Sequence, residues 1–424
     1  MTDGDGRHHH VLRREDERVS PLELFFDLAF VLAVTQCTAL MAAQPTWVGL
    51  ARGLLVLAVL WWAWVGYAWL TSVVDPEADA VRLSMFVAMA AMLVVSLCVP
   101  RAFGDLALVF ALAYAVVRTF QIVLFVLASP DDPQLRRSVL GLAGGTAAGG
   151  GLLVVASFLD GAAQGLVWLL AILLDFGEPL LFGVAGWRLV PGHFAERHGL
   201  IIIIALGESI VAIGVGAEHV EVGSGVISVA VLGVFLAAAL WWLYFDVVAL
   251  AAERRLSRAP VGPEQNALAR DDYSFLHLPM VAGIILVALG LKTAIAHVTD
   301  PLHAEASVAL CAGVALYLAG HVAFRWRFTH TVNRERLGVA AVLCAVVPLG
   351  TVVPAWATAV IVVGITALLV AYETTAWADT RDLIRHGPGL PVPDEERDLT
   401  PDELAQLDDA TMDRLDDPGH EEGG

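Results

Sequence analysis

The chain has 424 residues, of which 58% are hydrophobic and 16% are charged, and its mean hydropathy is +0.70. Soluble domains average about 45–50% apolar and about 25% charged residues, so this composition excludes a soluble protein. Because a bilayer-spanning helix needs about 20 apolar residues, the length accommodates about a dozen spans. It leaves no room for a large catalytic domain outside the membrane.

The formal net charge of −19 is unevenly distributed along the chain. Residues 378–424 include 15 acidic and 4 basic residues, a net charge of −11. This acidity argues against nucleic acid as a partner, because nucleic-acid binding requires basic surfaces. The four cysteines lie in separate apolar runs without C-x-x-C spacing, so we predict small buried side chains rather than disulfides or a metal site. No motif indicates a cofactor.

Apolar runs predict an all-α, polytopic integral membrane protein with about 12 transmembrane helices. The predicted spans are residues 22–42, 47–70, 81–99, 104–128, 138–158, 164–186, 199–217, 225–248, 274–296, 303–324, 336–352 and 355–377, with a longer loop over about 249–273. Arginines concentrate in the N-terminal arm and in alternate loops. Because basic residues are retained on the cytoplasmic side, this bias predicts that both termini are cytoplasmic.

Several short motifs recur at an offset of about 180 residues, which suggests an internal duplication. Glu17-Arg18 recurs as Glu196-Arg197, and Trp61-Trp62 as Trp241-Trp242. The alternative is that such short matches arise by chance in a chain rich in Trp and Leu. With duplication, the regions are a cytoplasmic arm (1–20), two parallel six-helix halves (21–186 and 187–377) and an acidic cytoplasmic tail (378–424).

Many ionisable residues lie inside the predicted spans, where each costs at least about 2.5–3.5 kcal/mol near the bilayer centre. The candidate polar residues are Asp27, Arg82, Arg118, Asp175, Glu178, Glu208, Asp246, His277, His321 and Glu373, with Glu23 near the start of the first span. They predict either a polar vestibule that opens to the cytoplasm or a set of interhelical ion pairs. Arg118 with Asp175 or Glu178, and Asp27 with Arg82 or Arg18, are the candidate pairs.

Asp175 and Glu178 are three residues apart, which places both carboxyl groups on one helix face. Two neighbouring acids in a low-dielectric site cannot easily both be charged, so we expect one of them to hold a proton. The pair suits a proton relay, and it equally suits a neutral structural contact. Glu208 follows Gly207 in the middle of the seventh span, where glycine allows close approach by either a neighbouring helix or an ion.

Two other groups of side chains have both structural and functional interpretations. His193, Glu196 and His198 do not have the spacing of a common metal motif, so we interpret them as part of a cytoplasmic helix entry. The aromatic group at 61–69 predicts a membrane-interface belt, with substrate lining as the alternative. Gly141, Gly145 and Gly149 predict a small-residue face for close helix packing.

Three segments resemble the signature stretches of the bacterial low temperature requirement protein A family. They are RVSPLELFFDLAFVLAVTQ at 18–36, HFAERHGLIIIIALGES at 193–209 and YSFLHLPMVAG at 273–283. The resemblance implies a multi-pass protein of the bacterial cell (inner) membrane, named for a growth requirement in the cold. It implies no particular substrate.

The leading functional hypothesis is a proton- or ion-coupled secondary transporter, whose partners are the lipid bilayer and an unknown small solute or ion. Asp27, Asp175, Glu178 and Glu208 are the predicted coupling carboxylates, and Arg118 is their counter-charge. One alternative is a membrane-embedded enzyme acting on lipid or lipid-linked groups, with His277 or His321 in acid–base roles. Another is a structural or sensory membrane protein whose charges only hold helices together.

Overall fold

The structure is a computed structural model that describes residues 18–386 except 128–132, 182, 184–185, 188, 219 and 330. Within this part of the chain all regular secondary structure is helical, which confirms the all-α prediction. Residues 1–17 of the predicted arm and residues 387–424 of the acidic tail lie outside the described residues. The proposed division into two parallel halves stays a prediction.

The described residues form fifteen α-helices, joined by one 3₁₀ turn at Val99–Arg101 and one π-helix at Ala269–Phe275. The helices are α1 Pro21–Ala43, α2 Trp47–Val73, α3 Asp79–Cys98, α4 Ala107–Leu127, α5 Pro133–Ala156, α6 Gly161–Leu181, α7 Pro191–Ala217, α8 Ser224–Phe245, α9 Val248–Arg258, α10 Pro263–Leu268, α11 His277–Ala296, α12 Ala304–Thr329, α13 Arg334–Gly350, α14 Ala355–Ala376 and α15 Ala378–His386.

Eleven helical segments of the described chain are long and apolar enough to cross a membrane. The predicted span without a counterpart among these eleven is the one at 336–352, which corresponds to α13, whose 17 residues reach only the lower limit for crossing a bilayer. Large apolar side chains on the outer faces, such as Leu97, Leu181 and Leu368, are more than half exposed because they face the position of lipid. The chain is therefore a polytopic membrane protein.

Local signals explain where the first helices begin. Ser20 caps α1 by accepting a hydrogen bond from the Glu23 backbone, and the Glu23 side chain accepts one from the Ser20 backbone, with Pro21 at the first position. Thr46 caps α2 in the same way through the Gly49 backbone. Only three residues separate α1 from α2, so these two helices pack side by side.

Helix α11 lies at the centre of the bundle and contacts α1, α2, α7, α8, α12 and α14. Its backbone closely approaches α12, because a Cβ atom at Gly283 would lie only 2.6 Å from the Gly313 carbonyl oxygen. Glycines on facing helices allow this packing where larger residues would separate the backbones. The central helix thus joins elements from both ends of the sequence.

The region between α8 and α11 differs from the loop predicted over 249–273. It contains the amphipathic helix α9, the short helix α10 and the π-helix. Ala252 and Leu256 of α9 are buried one turn apart, a helical spacing that the charged residues around them obscured in the sequence. The π-helix is held against α2, since Trp61 donates to the Ser274 carbonyl oxygen and Trp69 to its hydroxyl.

Candidate functional site: a polar cavity and a buried ionic seam

Helix ends locate the polar residues along the bundle. We call the end of the bundle at which α1 begins the arginine-rich end. Helix α2 ends at this side of the bundle, and helix α7 begins there. The contacts of His193 with Glu23 and Ser72 demonstrate this shared end.

One buried charged pair joins α4 to α6. Arg118 Nη2 donates to Asp175 Oδ1 at 3.0 Å and to Thr146 Oγ1 at 2.8 Å, while Nη1 donates to Gln121 Oε1 at 2.8 Å. The side chains of Arg118 and Asp175 are 1% and 9% exposed. This contact is the first of the two pairings predicted for Arg118. Opposite charges placed this closely offset part of each other's desolvation cost.

Glu178 lies one helical turn further toward the arginine-rich end, on the same face of α6 as Asp175. Both carboxylates pack against glycines of α5, as the predicted small-residue face requires: a Cβ at Gly145 would lie 2.8 Å from Glu178 Cγ. Glu178 is 3% exposed, and its Oε2 atom has no hydrogen-bond partner among the described residues. No basic side chain of the described chain lies within ion-pair distance of it. Glu178 is therefore a buried carboxylate that forms no ion pair within the described chain, and the nearby Arg118 is already paired with Asp175.

A cavity of about 510 Å³, its mouth included, lies beside these residues. Its walls come from α2, α4, α5, α6 and the π-helix, together with Gly183 and Trp187 between α6 and α7. The lining residues are Trp62, Val65, Gly66, Trp69, Arg118, Gln121, Phe125, Ser138, Leu142, Glu178, Pro179, Gly183, Trp187, Arg270 and Ser274. Many of them lie near the ends of α2, α4 and α6, so the cavity is on the arginine-rich side of the bundle.

The aromatic group of α2 is buried rather than placed at a membrane interface, which corrects the predicted belt. Trp61, Trp62, Trp64, Tyr67 and Trp69 are each at most 8% exposed. Trp62 and Trp69 line the cavity, and Trp64 donates to Asp27 Oδ1 at 3.0 Å. These residues form core and cavity walls because α2 is surrounded by other helices on all sides.

A second polar region, which we call the ionic seam, joins α1 to α7. Arg197 Nη2 donates to Asp27 Oδ1 at 2.9 Å, and His193 Nε2 lies 2.8 Å from Glu23 Oε1. Ser72 completes this group at 3.0 Å from His193 Nδ1. The predicted pairing of Asp27 with Arg82 or Arg18 is wrong. The Arg82 side chain is 44% exposed and lies near Asp79, on the outer face of α3.

Sequence reasoning missed His193 and Arg197 as partners, although a signal was present. The two acids Glu23 and Asp27 are four residues apart, and so are the two basic residues of α7. Two such pairs on facing helices form two stacked contacts, because residues at i and i+4 share a face. The prediction began the seventh helix at 199, eight residues late, since the polar segment before it resembles a loop.

Glu208 continues the ionic seam toward the middle of α7. Its Oε2 atom accepts a hydrogen bond from Thr35 Oγ1 at 2.5 Å, and the residue is 4% exposed. No basic side chain of the described residues forms an ion pair with it. Glu208 therefore resembles Glu178: each is a buried carboxylate that forms no ion pair among the described residues.

The two candidate histidines lie in an aromatic cluster that is joined to Trp64 of α2 through the ring of His198. His277 Nε2 is 2.8 Å from the Tyr244 hydroxyl, and Nδ1 is 3.1 Å from the Asp272 carbonyl oxygen. Neither ring nitrogen of His321 has a hydrogen-bond partner in the described chain, and its ring packs against Tyr317 at 4.5 Å. Asp272, which the sequence did not single out, is buried, and its carboxylate oxygens also have no hydrogen-bond partner there.

The remaining candidates form satisfied ion pairs at the arginine-rich end. Glu373 accepts two hydrogen bonds from Arg336, at 2.7 and 2.8 Å. Asp246 accepts from Arg381 at 2.5 and 2.9 Å and from Arg385 at 2.9 Å. These contacts tie α13 to α14 and α15 to the end of α8. The ten candidates therefore do not form one vestibule.

The described residues contain no group of three or more His, Cys, Asp or Glu side chains that could hold a metal ion. His193 and His198 have different partners, since His198 Nδ1 contacts the Phe194 carbonyl oxygen at 2.9 Å. Three of the four cysteines are buried as predicted, whereas Cys344 is exposed on the outside of α13. The site consequently consists of carboxylates, arginines and aromatic rings.

The family model described as bacterial low temperature requirement A protein (LtrA) matches residues 18–371. The chain belongs to this family. A protein of Rhizobium meliloti (strain 1021), described as uncharacterized, is 27% identical over 329 residues, which cover 74% of this chain and 79% of that protein. No solved structure matches the chain. The match to the LtrA family includes the ionic seam, the cavity and the central helix α11.

Proposed function

We propose that this member of the LtrA family is a proton- or ion-coupled secondary transporter of a small solute. The arginine-rich end faces the cytoplasm of the bacterial cell, and the protein resides in the inner membrane. The cavity beside Arg118 is the solute site. Glu178 and Glu208 carry the coupling ion or proton.

The observation that carries this proposal is the presence of two buried carboxylates that form no ion pair in the part of the chain that the structure describes, one of them in a cavity wall. A charge inside a membrane span is costly, and a purely structural carboxylate is normally paired. Glu373 and Asp246 meet that expectation, whereas Glu178 and Glu208 do not. A carboxylate with open hydrogen-bonding capacity can bind and release a proton or a cation, which is the chemistry of a coupling site.

The ionic seam supplies a place where conformational change and ion binding can be linked. It joins α1, at the start of the first predicted half, to α7, at the start of the second. Relative movement of two halves would break or rearrange contacts at this position. Glu208, on the same helix face, would sense such movement through its hydrogen bond to Thr35 of α1.

The test is a flux assay with the purified full-length protein in proteoliposomes that contain a pH-sensitive dye. A panel of amines, amino acids, carboxylates and sugars is added with and without an imposed pH gradient. We expect gradient-dependent flux for at least one solute class, lost in Glu178→Gln and Glu208→Gln. Glu264→Gln, at an exposed carboxylate near the π-helix, is the matched control and should retain flux. Absence of gradient-dependent flux for every class would contradict the proposal.

A further inference from the structure

We propose that the cavity binds a small organic ammonium ion that also carries an oxygen acceptor. This inference names the substrate class of the proposed transporter and rests on that function for its physiological meaning. The binding itself is testable without any membrane gradient. Three features of the cavity support it: its charge balance, its aromatic walls and its unused hydrogen-bond donors.

The charge balance of the lining leaves one negative group. Arg118 is balanced by Asp175 at 3.0 Å, and Arg270 by Asp271 at 2.6 Å. Asp271 also contacts Arg327, whose side chain is 37% exposed and is not part of the lining, so solvent screens that charge. Glu178 forms no ion pair in the described chain, and Arg118, which attracts it electrostatically, is already paired with Asp175. A ligand with a positive charge would neutralise it.

The aromatic walls suit a cation of low hydration. Trp62, Trp69, Trp187 and Phe125 all line the cavity. Trp69 and Trp187 meet edge to face at 5.4 Å, and Phe125 packs on Trp187 at 4.6 Å, so the rings have fixed positions. Aromatic faces attract ammonium groups through the ring quadrupole, and indole rings are the strongest of the natural side chains. A carboxylate beside several aromatic rings is therefore chemistry for an organic ammonium ion.

Neutral donors in the same lining define the rest of the ligand. Gln121 Nε2 and Trp187 Nε1 have no hydrogen-bond partner among the described residues, and both are buried. Gly66 makes room for the Gln121 amide, because a Cβ at this position would collide with it. Buried donors are normally satisfied, so a hydroxyl, carbonyl or carboxylate oxygen on the ligand is expected here. Arg118 Nε is a third such donor.

The size of the cavity restricts the ligand further. Its volume of about 510 Å³ includes the mouth, so the enclosed part holds a compact molecule rather than a lipid chain. Ser138 of α5 and Ser274 of the π-helix also line the cavity and add hydroxyl groups near the arginine-rich end. The ligand is consequently a small amino alcohol, amino acid or betaine-like compound that enters from that side.

The experiment measures binding to the purified full-length protein in detergent by isothermal titration calorimetry and by tryptophan fluorescence. The probes are choline and two compounds of the same shape, neutral 3,3-dimethyl-1-butanol and anionic 3,3-dimethylbutanoate. We expect choline to bind at least about tenfold more tightly than the neutral compound, because a cation–π contact and a counter-charge are worth about 1–2 kcal/mol or more. The anion should bind more weakly still.

Two variants test whether the preference for choline over its neutral counterpart depends on the Glu178 carboxylate and on the Trp187 N–H group. Glu178→Gln should abolish the preference for choline over its neutral counterpart, while Glu264→Gln leaves it unchanged. Trp187→Phe keeps an aromatic ring but removes the N–H donor, so it should weaken choline several-fold and more than it weakens tetramethylammonium, an additional probe that has no oxygen acceptor. The Trp187 variant keeps the test valid if Glu178→Gln does not fold.

Equal binding of choline and its neutral counterpart, tighter binding of the anion, or no binding of any probe would overturn the inference. The proposed transport function is tested separately, since these titrations involve no gradient. Choline binding without any flux would remove the transporter proposal and leave the ligand class intact. Gradient-driven flux of a carboxylate or sugar, without choline binding, would remove the proposed ligand class and leave the transporter proposal intact.

Discussion

The cavity and the α13–α15 region contain the same kinds of charged side chains in different states. At α13–α15, Glu373 and Asp246 are bound by arginines through two and three hydrogen bonds. In the cavity, Arg118 and Asp175 are paired, but Glu178, one turn away, is not. Burial of an ionisable group therefore does not by itself indicate function. Glu178 differs from Glu373 and Asp246 because it has a carboxylate oxygen without a hydrogen-bond partner among the described residues and lies in the wall of a cavity.

Breaking the Arg118–Asp175 pair should have the largest effect. Arg118→Met leaves Asp175 as an uncompensated buried charge, so we expect destabilisation by about 3–5 kcal/mol. Thermal unfolding in detergent, together with the yield of folded protein, measures it. The double variant Arg118→Met with Asp175→Asn removes both charges and should recover most of the loss. An equally unstable double variant would show that the pair itself, rather than the orphaned charge, matters.

A smaller loss is expected when the Arg336–Glu373 contact is weakened. Glu373→Gln keeps the shape of the side chain and one acceptor oxygen, while the guanidinium loses its counter-charge. The Glu373 side chain is only 17% exposed, so we expect a cost of about 1–3 kcal/mol, typical of a lost charged hydrogen bond. Unfolding in detergent provides the value. Proteoliposome flux should be unchanged, and a flux defect at equal folded protein would contradict the structural role of this pair.

A weaker effect still is expected at the surface of the same region. Arg385 contacts Asp246, but its side chain is 43% exposed, and Arg381 already binds both oxygens of that carboxylate. Arg385→Ala should therefore cost about 0.2–1 kcal/mol, the range for exposed ion pairs. The comparison is with Arg381→Ala, which should cost more because Asp246 then loses its two-point contact. Equal losses for the two variants would refute this ranking.

Much of this fold follows from local sequence. The apolar runs predicted the spans, because the need for about 20 apolar residues per crossing leaves few alternatives. The spacing of three between Asp175 and Glu178 correctly placed both on one face. The start of α7 and the helices within 249–273 were missed. Charged residues there face other protein segments, and a hydropathy pattern cannot distinguish such helices from loops.

Tertiary partners were harder to predict than helices. The sequence offered Asp175 and Glu178 equally as partners of Arg118. Only the three-dimensional structure shows that Asp175 forms the ion pair. Arg82 was chosen for Asp27 because both lie near the same predicted membrane boundary, yet Arg82 is on the outer face of α3. Arg197 became the partner because α7 packs directly on α1. Which helices are neighbours is decided by the packing of the whole bundle, so no local pattern reveals it.

Stability and flux measured together on Glu178→Gln distinguish a functional carboxylate from a structural one. The account predicts that unfolding stability in detergent stays within about 1 kcal/mol of the parent, because no basic partner is orphaned. It also predicts that gradient-driven flux in proteoliposomes is lost. A variant that retains full flux, or one that unfolds as readily as Arg118→Met, would contradict the assignment of Glu178 as a functional rather than structural carboxylate.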